Sequence, residues 1–548
     1  MKKSLAIMGV LAVAAGCTDI KSGATADDFE AKRAALLAKP RQMMTDNDGN
    51  DFVYYSRKLP VTEEAFIGSR IGHVAKTRCE TMIYCPWSAG FGYFTVPGVG
   101  DLYTNSVPYL DTYNPIHAFF AMGKDPLQMA IDFCRREKRE AFLGIRMNDT
   151  HDAGYDALFP PWKRANPDCL FGTKTKRPHR CSWSAVDFEN PNTRAHMLTF
   201  MRQFLEKYDV DGIEYDFFRH CQLFKSVAWA TSQETSRATR AQLDLMSGFM
   251  AELRSLSEEF GRKRGKPILV AIRVPDSFEY NLCVGIDLER WLKDKSADLV
   301  IAGGYWQFSP WRGMVDNVHA LGAKCYVSLD ESRIGWNARA YKHGVLPGRN
   351  GLAFYAARIA AAMAEGADGV CFFNCQGNSL AQFASIDPNA TEGISKLYFA
   401  VERGSGGYGP NNYVCDGNRF STMPDLDPAR PHTMEPASVY AFDVTVGDDP
   451  ASPVAKARPP KVEADLLVNL TQKADVRMRV NGQTLAAPAF TSDSSTNGVF
   501  RFDVPLSCIR RGPNRIEVES PPTVPAGQDL KLVDFVLKYS YPPAKKER

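Results

Sequence analysis

Tyr208-Asp-Val-Asp-Gly-Ile-Glu-Tyr-Asp-Phe-Phe-Arg219 is the stretch that decides the fold. Ile213, Tyr215 and Phe217 alternate with Gly212, Glu214 and Asp216, the period of two that marks a β-strand with one apolar face. The other face converges on a polar site. Apolar helix patterns flank the stretch on both sides, so it reads as the centre of a βαβ unit, covered on both faces.

The same unit recurs along the chain. Short apolar strands are expected at about 41–46, 80–86, 141–148, 211–217, 267–274, 298–304, 323–330 and 368–374, each followed by a helical or loop-plus-helix segment. Eight such units predict a closed (β/α)8 TIM barrel. Leu243, Met246, Met250, Leu253, Leu256 and Phe260 recur at steps of three and four, the spacing of one buried helix face. The alanine-rich run from Gly351 to Gly366 stops at glycine, as a packed outer helix does. Strands four and eight open alike, with Val210-Asp-Gly-Ile and Ala367-Asp-Gly-Val.

Past residue 403 the character changes. Gly404-Ser-Gly-Gly-Tyr-Gly409 has the letters of a dinucleotide fingerprint, but Pro410 and two asparagines stand where a helix must open, so it reads as a linker. From about 437 to 542 strands and turns follow without a long helix: Asp475–Val480, an Asn481-Gly482 turn, Gly498–Val504, Asn514–Val518 and Val533–Tyr539. This predicts a small all-β sandwich. Ile509–Val518 resembles the turn-and-strand signature of jelly-roll modules attached to carbohydrate enzymes. The domain has no tryptophan, which points to a structural or docking role rather than a flat aromatic glycan face. The organisation expected is a leader at 1–17, a spacer at 18–38, the barrel at 39–402, a linker at 403–436 and the sandwich at 437–548.

With 548 residues, 44% of them apolar, the chain is long enough to bury a barrel core and a second domain. The balance of 66 Lys and Arg against 63 Asp and Glu gives +3, which does not point to nucleic acid. Lys2 and Lys3 precede an apolar run from Leu5 to Ala15, too short to span a bilayer and laid out as an export signal. It ends in Ala14-Ala15-Gly16-Cys17, which resembles the bacterial lipoprotein cleavage box. That resemblance implies lipidation at Cys17, membrane attachment, and a periplasmic, outer-membrane or cell-surface location. In such a compartment disulfides form; Cys169 and Cys181 bracket one polar loop and are the expected pair, whereas Cys371 and Cys375 read as small core hydrophobes.

Charges and amides gather where the barrel strands end, the face that carries chemistry in this architecture. Strand three ends in Arg146-Met-Asn148-Asp149-Thr-His151, strand four runs on to Arg219-His220, and strand five ends in Arg273-Val-Pro-Asp276. Strand seven ends in Ser328-Leu-Asp330-Glu331, and strand eight in Asn374-Cys-Gln376. Tryptophans fall in the following segments, Trp87 and Trp306 among them, where rings can stack on sugar faces. Glycosidic cleavage needs two carboxyl groups flanking the scissile bond. The candidate pair is Asp216, or Glu214 just below it, with Asp330 or Glu331 across the mouth. Arg146, Asn148, Arg273 and Asn374 are candidates to bind hydroxyls, with the arginines suited also to an anionic substituent; Asp149, His151, Arg219, His220 and Asp276 complete the rim. Residues 163–180 hold Lys163, Arg164, Lys174, Lys176, Arg177 and Arg180 against Asp168 alone, a loop that would attract a sulfated or uronic glycan.

Ala185-Val-Asp-Phe-Glu-Asn-Pro, a helix, and then Tyr208–Asp216 resemble the central segment of the glycoside-hydrolase-like family ten barrels and related bacterial lipoproteins. The resemblance spans about residues 41–400 and implies a glycosidase-type barrel acting on a poly- or oligosaccharide. Asp211, Gly212, Glu214 and Asp216 also resemble part of the family 18 chitinase motif, but Phe218 stands where that motif carries its catalytic glutamate. Hydrolysis by two carboxylates is therefore the expected activity, without metal or cofactor. The competing reading is a surface lipoprotein that captures glycans on a degenerate glycosidase barrel. No His-x-His at a strand end, His-Glu-x-x-His, paired Cys-x-x-Cys or Gly-x-Ser-x-Gly occurs. His151 and His220 with Asp149 and Asp216 stay open as metal ligands.

Overall fold

A computed structural model describes residues 26–47, 55–86, 92–93, 101–102, 113–330, 334, 341–403, 409–423, 426–492, 496–524 and 529–543. Its barrel strands are β1 (Met43–Asn47), β2 (Thr81–Tyr84), β3 (Glu140–Arg146), β4 (Gly212–Asp216), β5 (Leu269–Val274), β6 (Leu299–Ala302), β7 (Lys324–Ser328) and β8 (Gly369–Phe373). They close in the order β1-β8-β7-β6-β5-β4-β3-β2, every neighbouring pair parallel. All eight strand expectations hold.

The alternation read from β4 decides the two sides of the wall. Ile213, Tyr215 and Phe217 join the core between strands and helices. Met44, Ile83, Phe142, Leu269, Ala271, Leu299, Ile301, Tyr326 and Cys371 form a separate cluster inside the barrel. Above it the inward positions turn polar, with Asp216 paired in register with Arg146 on β3 and Arg273 on β5.

The outer helices follow from their own signals. Arg240–Arg264 starts at a Thr239/Gln242 capping box and stops at Gly265, whose φ of 67° suits glycine. Such an N-cap contributes about 1 kcal/mol. The six residues spaced at three and four are all buried. The start of each even-numbered strand carries a second device. Glu80, Asp211, Asp298 and Asp368 each stand just before one of these strands and accept the amide of Met43, Ala141, Val270 and Cys325 on the preceding strand, at 2.8–2.9 Å. Asp211 also pairs with Arg135 and Lys266, and Asp368 with Lys324 and His319. The Asp-Gly echo at 211–212 and 368–369 is this clamp, at the end of the barrel remote from the site.

The second unit is a sandwich of β9 (Lys396–Phe399), β10 (His432–Thr433), β11 (Val439–Val446), β12 (Lys461–Val468), β13 (Arg477–Val480), β14 (Gln483–Thr484), β15 (Ala489–Thr491), β16 (Gly498–Asp503), β17 (Gly512–Glu519) and β18 (Lys531–Ser540). One sheet runs β9-β18-β12-β16-β15 with β10 beside β18, and the other β11-β17-β13-β14. Asn481 and Gly482, both at positive φ, make the expected tight turn. The sandwich begins earlier than residue 437, because 396–399 is already one of its strands.

Two further expectations change. Residues 409–423 lie across the loops that follow β4–β6 instead of hanging free: Tyr280 donates to the Pro410 carbonyl at 2.9 Å, Gln222 to that of Tyr413 at 2.8 Å, and the Thr422 amide to that of Phe308 at 2.7 Å. Cys169 and Cys181 are free thiols, as are all the cysteines among the described residues. Cys169 ends a turn bonded to Asp187, whereas Cys181 packs with Phe171, Ala185 and Ala228. Cys17, with the leader and spacer up to residue 25, lies outside the described residues.

Candidate active site

Arg273 organises the barrel mouth. It projects inward from β5, fully buried, and its Nη1 lies 3.2 Å from Asp216 and 3.7 Å from Asp46, while Nη2 lies 3.2 Å from Asp330. One guanidinium thus gathers carboxylates from β4, β1 and the end of β7. Burial works against its charge, but Asp216, Asp330 and Asp46 outweigh that and raise its pKa. Phe373 covers its face, the ring centre 3.6 Å from the guanidinium carbon.

Asp216 is held at both oxygens. Oδ1 accepts the amides of Phe218 and Arg219 at 2.9 and 3.0 Å, and Oδ2 faces Arg273. These amides are available because the chain leaves β4 in a tight turn, which His220 closes at a φ of 57°. Asp330 is held likewise, by the Ser328 hydroxyl and by Arg273. Glu214 sits deeper, with its Oε1 lacking a hydrogen-bond partner among the described residues. A Cβ on Gly144 would stand in ordinary contact with its other oxygen, at 3.4 Å, but 2.9 Å from Ile83 Cγ2, so the glycine makes room for Ile83.

Two carboxyls here retain their protons more readily than ordinary acids. Burial, with Asp46 and Asp216 nearby, pushes Glu214 well above the usual carboxylate range. Burial also pushes Asp46 up to about 7, opposed by Arg273 and Arg146 and aided by Asp216 and Asp330. Asp46 was not singled out from the sequence. Its signal was its position, an acid at the C-terminal end of the first barrel strand.

Beside this group lies a second polar cluster. Arg146 pairs with Asp149 at 2.8 Å, and Asp149 accepts from His151 Nδ1 at 2.8 Å. His151 Nε2 lies 2.8 Å from Arg219 Nη2, and His220 Nδ1 accepts the Thr150 amide at 3.1 Å. Burial is the largest influence on Asp149 and would raise it, yet His151, Arg146 and His220 together hold it well below the usual range. Burial lowers both histidines, so they are neutral at physiological pH. Asp149, His151 and His220 bring ligand atoms within 4.8 Å of one another. As a cation site the set fits poorly: both His151 nitrogens and one of His220 are engaged, and Arg219 and Arg146 adjoin it.

The remaining candidates divide. Asn148 braces the loops, donating to the Val186 and Gln222 carbonyls and accepting the Val186 amide. Asp276 accepts the Phe308 and Ser309 amides at 2.9 and 3.2 Å, and burial pushes it up to about 6. Trp306 is buried with Phe218 centred 4.2 Å from one ring and Tyr413 stacked at 5.7 Å, so protein occupies the surface expected to meet a sugar. Asn374 stands half-buried at the end of β8 with a φ of 57°. Trp87 and Glu331 lie outside the described residues. The basic loop does not form a cationic rim throughout: Lys163 is buried against Asp152 at 2.7 Å, and Lys174 pairs with Asp156.

No protein-family model matches the chain, and no curated protein sequence matches it. Among solved structures, the glycoside hydrolase domain of PgaB (BpsB) from Bordetella bronchiseptica aligns over 64% of this chain and 100% of that domain, with 11% identity and a TM-score of 0.40. A family GH18 chitinase from Chromobacterium violaceum aligns over 92% of this chain and 88% of its own, with 11% identity and a TM-score of 0.35. An Anoxybacillus α-amylase aligns over 88% and 99%, with 10% identity and a TM-score of 0.34. These likenesses carry no argument about activity, which rests on the site itself.

Proposed function

We propose that the chain is a glycoside hydrolase that cleaves O-glycosidic bonds of a poly- or oligosaccharide with carboxyl groups at the barrel mouth. The observation that carries this is Arg273 within 3.7 Å of Asp46, Asp216 and Asp330, which come from different parts of the barrel wall. Glycosidic cleavage requires one carboxyl group that still holds a proton and another that is charged. Asp46, raised by burial, with Glu214 beneath it, supplies the first. Asp216 and Asp330, ion-paired to Arg273, supply the second.

In this reading Asp46 donates its proton to the leaving oxygen. One of Asp216 and Asp330 meets the anomeric carbon as nucleophile, or activates water there, and the other holds Arg273 in place. The test is release of reducing sugar from neutral, uronic and sulfated polysaccharides, with Asp216→Asn alongside. Release that disappears in the variant supports the reading. Retained glycan binding with no release from any of them overturns it in favour of glycan capture. Attachment through a lipid at Cys17 is part of the same proposal, and metabolic labelling with a fatty acid, compared with Cys17→Ala, tests it.

A further inference from the structure

Arg219 is 5% exposed, yet its guanidinium has no carboxylate partner among the described residues. Its Nη2 meets the neutral His151 ring at 2.8 Å, while Nε and Nη1 are buried without an acceptor. Its flanks are aromatic, with Tyr305 centred 5.0 Å and Phe373 5.9 Å from the guanidinium carbon. Asp149, the carboxylate on the far side of His151, is taken by Arg146 at 2.8 Å. A buried guanidinium without a counter-charge is costly, and an arriving anion relieves that cost.

Its backbone places it beside the chemistry. The Arg219 amide donates to Asp216 at 3.0 Å, and its guanidinium shares the Phe373 ring with Arg273, which sets the side chain beside the carboxylate cluster. The Asp149–His151 pair holds it there: Asp149 accepts from His151 Nδ1, which leaves Nε2 as the acceptor facing Arg219. We infer that Arg219 forms an anion subsite that selects a sugar bearing a carboxylate or sulfate group at the position next to the scissile bond. The inference rests on the glycosidase reading for its location, but its test does not require turnover. The preference for anionic glycans expected from the basic loop at 163–180 is thereby assigned to a different residue.

The experiment is calorimetric titration of the full-length protein with methyl β-D-glucuronide, glucose 6-sulfate and neutral methyl β-D-glucoside. The wild type should bind one of the anionic probes at least tenfold more tightly than the glucoside, and the stronger probe distinguishes carboxylate from sulfate. Arg219→Met should abolish the preference while leaving weak glucoside binding, and Arg219→Lys should restore part of it. Equal binding of all three probes by the wild type overturns the inference, as does a preference that survives Arg219→Met. If Arg219→Met does not fold, the wild-type comparison and Arg219→Lys decide, since a purely structural arginine gives no anion preference in either. Preference without hydrolysis of any glycan keeps the subsite and removes the hydrolase reading; hydrolysis of neutral glycans without preference does the reverse.

Discussion

Arg273 shows how one residue sets the state of its neighbours. It balances the charge of Asp216 and Asp330 in a buried site, and Asp46 at 3.7 Å keeps its proton because burial outweighs the help it receives from the arginine. If Asp46 is the proton donor, Asp46→Asn should lower turnover of the natural glycan about 10²- to 10⁴-fold. A dinitrophenyl glycoside, whose leaving group needs no proton, should be affected far less, whereas Asp330→Asn should impair both; parallel rate measurements check this. The same carboxyls make stability depend on pH. Asp46 and Glu214 have folded pKa values above their unfolded ones, so between those values the folded chain binds more protons than the unfolded chain. Their contribution is fully present at acidic pH and is lost as pH rises through about 7 for Asp46. The groups facing Asp46 are Arg273, Arg146, Asp216, Asp330 and Glu214. Asp46→Asn should therefore gain Tm relative to the wild type as pH rises from about 5.5 to about 8.5, a comparison in which the opposite contribution of the buried histidines His151 and His220 cancels.

At the level of elements, the repeated acid before each even-numbered strand ties the sheet together at the end opposite the site. Asp298 accepts the Val270 amide at 2.8 Å and meets Arg254 at 2.6 Å and Arg33 at 3.4 Å. Asp298→Ala leaves the buried Val270 amide without its side-chain acceptor and removes one of the carboxylates that Arg254 and Arg33 share, Glu258 being the other. A loss of about 3 kcal/mol is expected, read as a lower urea midpoint, with glycan binding by the surviving folded protein unchanged. This also shows how far a motif can be read alone. Asp211 matched part of a catalytic signature by letters, but its neighbours Arg135, Lys266 and Ala141 make it a clamp. Only the pairing of strands separates Asp211 from Asp216, five residues away at the other end of β4.

For the whole molecule, the sandwich is docked through the alanine-rich helix Leu352–Ala364. Ala357 and Ala361 belong to the sandwich core, and a Cβ on Gly447 would stand 2.3 Å from the Ala360 carbonyl carbon, so small residues on both sides permit the approach. Arg349, in the segment between β7 and β8, forms a buried two-pronged pair with Asp534 of β18 at 2.7 and 2.8 Å. It also donates to the Val401 carbonyl at 2.8 Å. Asp534→Ala should cost about 3–5 kcal/mol, because it strands a buried guanidinium at the junction. Urea unfolding followed by tryptophan fluorescence, which reports only on the barrel side, and by far-UV circular dichroism should then give transitions that separate, where the wild type gives one.

Local sequence determined the architecture: the period of two in Ile213, Tyr215 and Phe217, the helical spacing from Leu243 to Phe260, and the Asn481-Gly482 turn are properties of neighbouring residues, and backbone geometry makes them binding. It also placed Glu214, Asp216, Arg273 and Asp330 at the barrel mouth, because strand alternation decides which side chains face inward. What it did not determine is charge state and partnership. That Asp46 joins Asp216 and Asp330 around one guanidinium, that Asn148 and Trp306 are spent on bracing and packing, and that Arg219 meets no carboxylate among the described residues depend on distances between residues far apart in the chain. Burial and electrostatic pairing are properties of the closed barrel, and only the tertiary structure decides them.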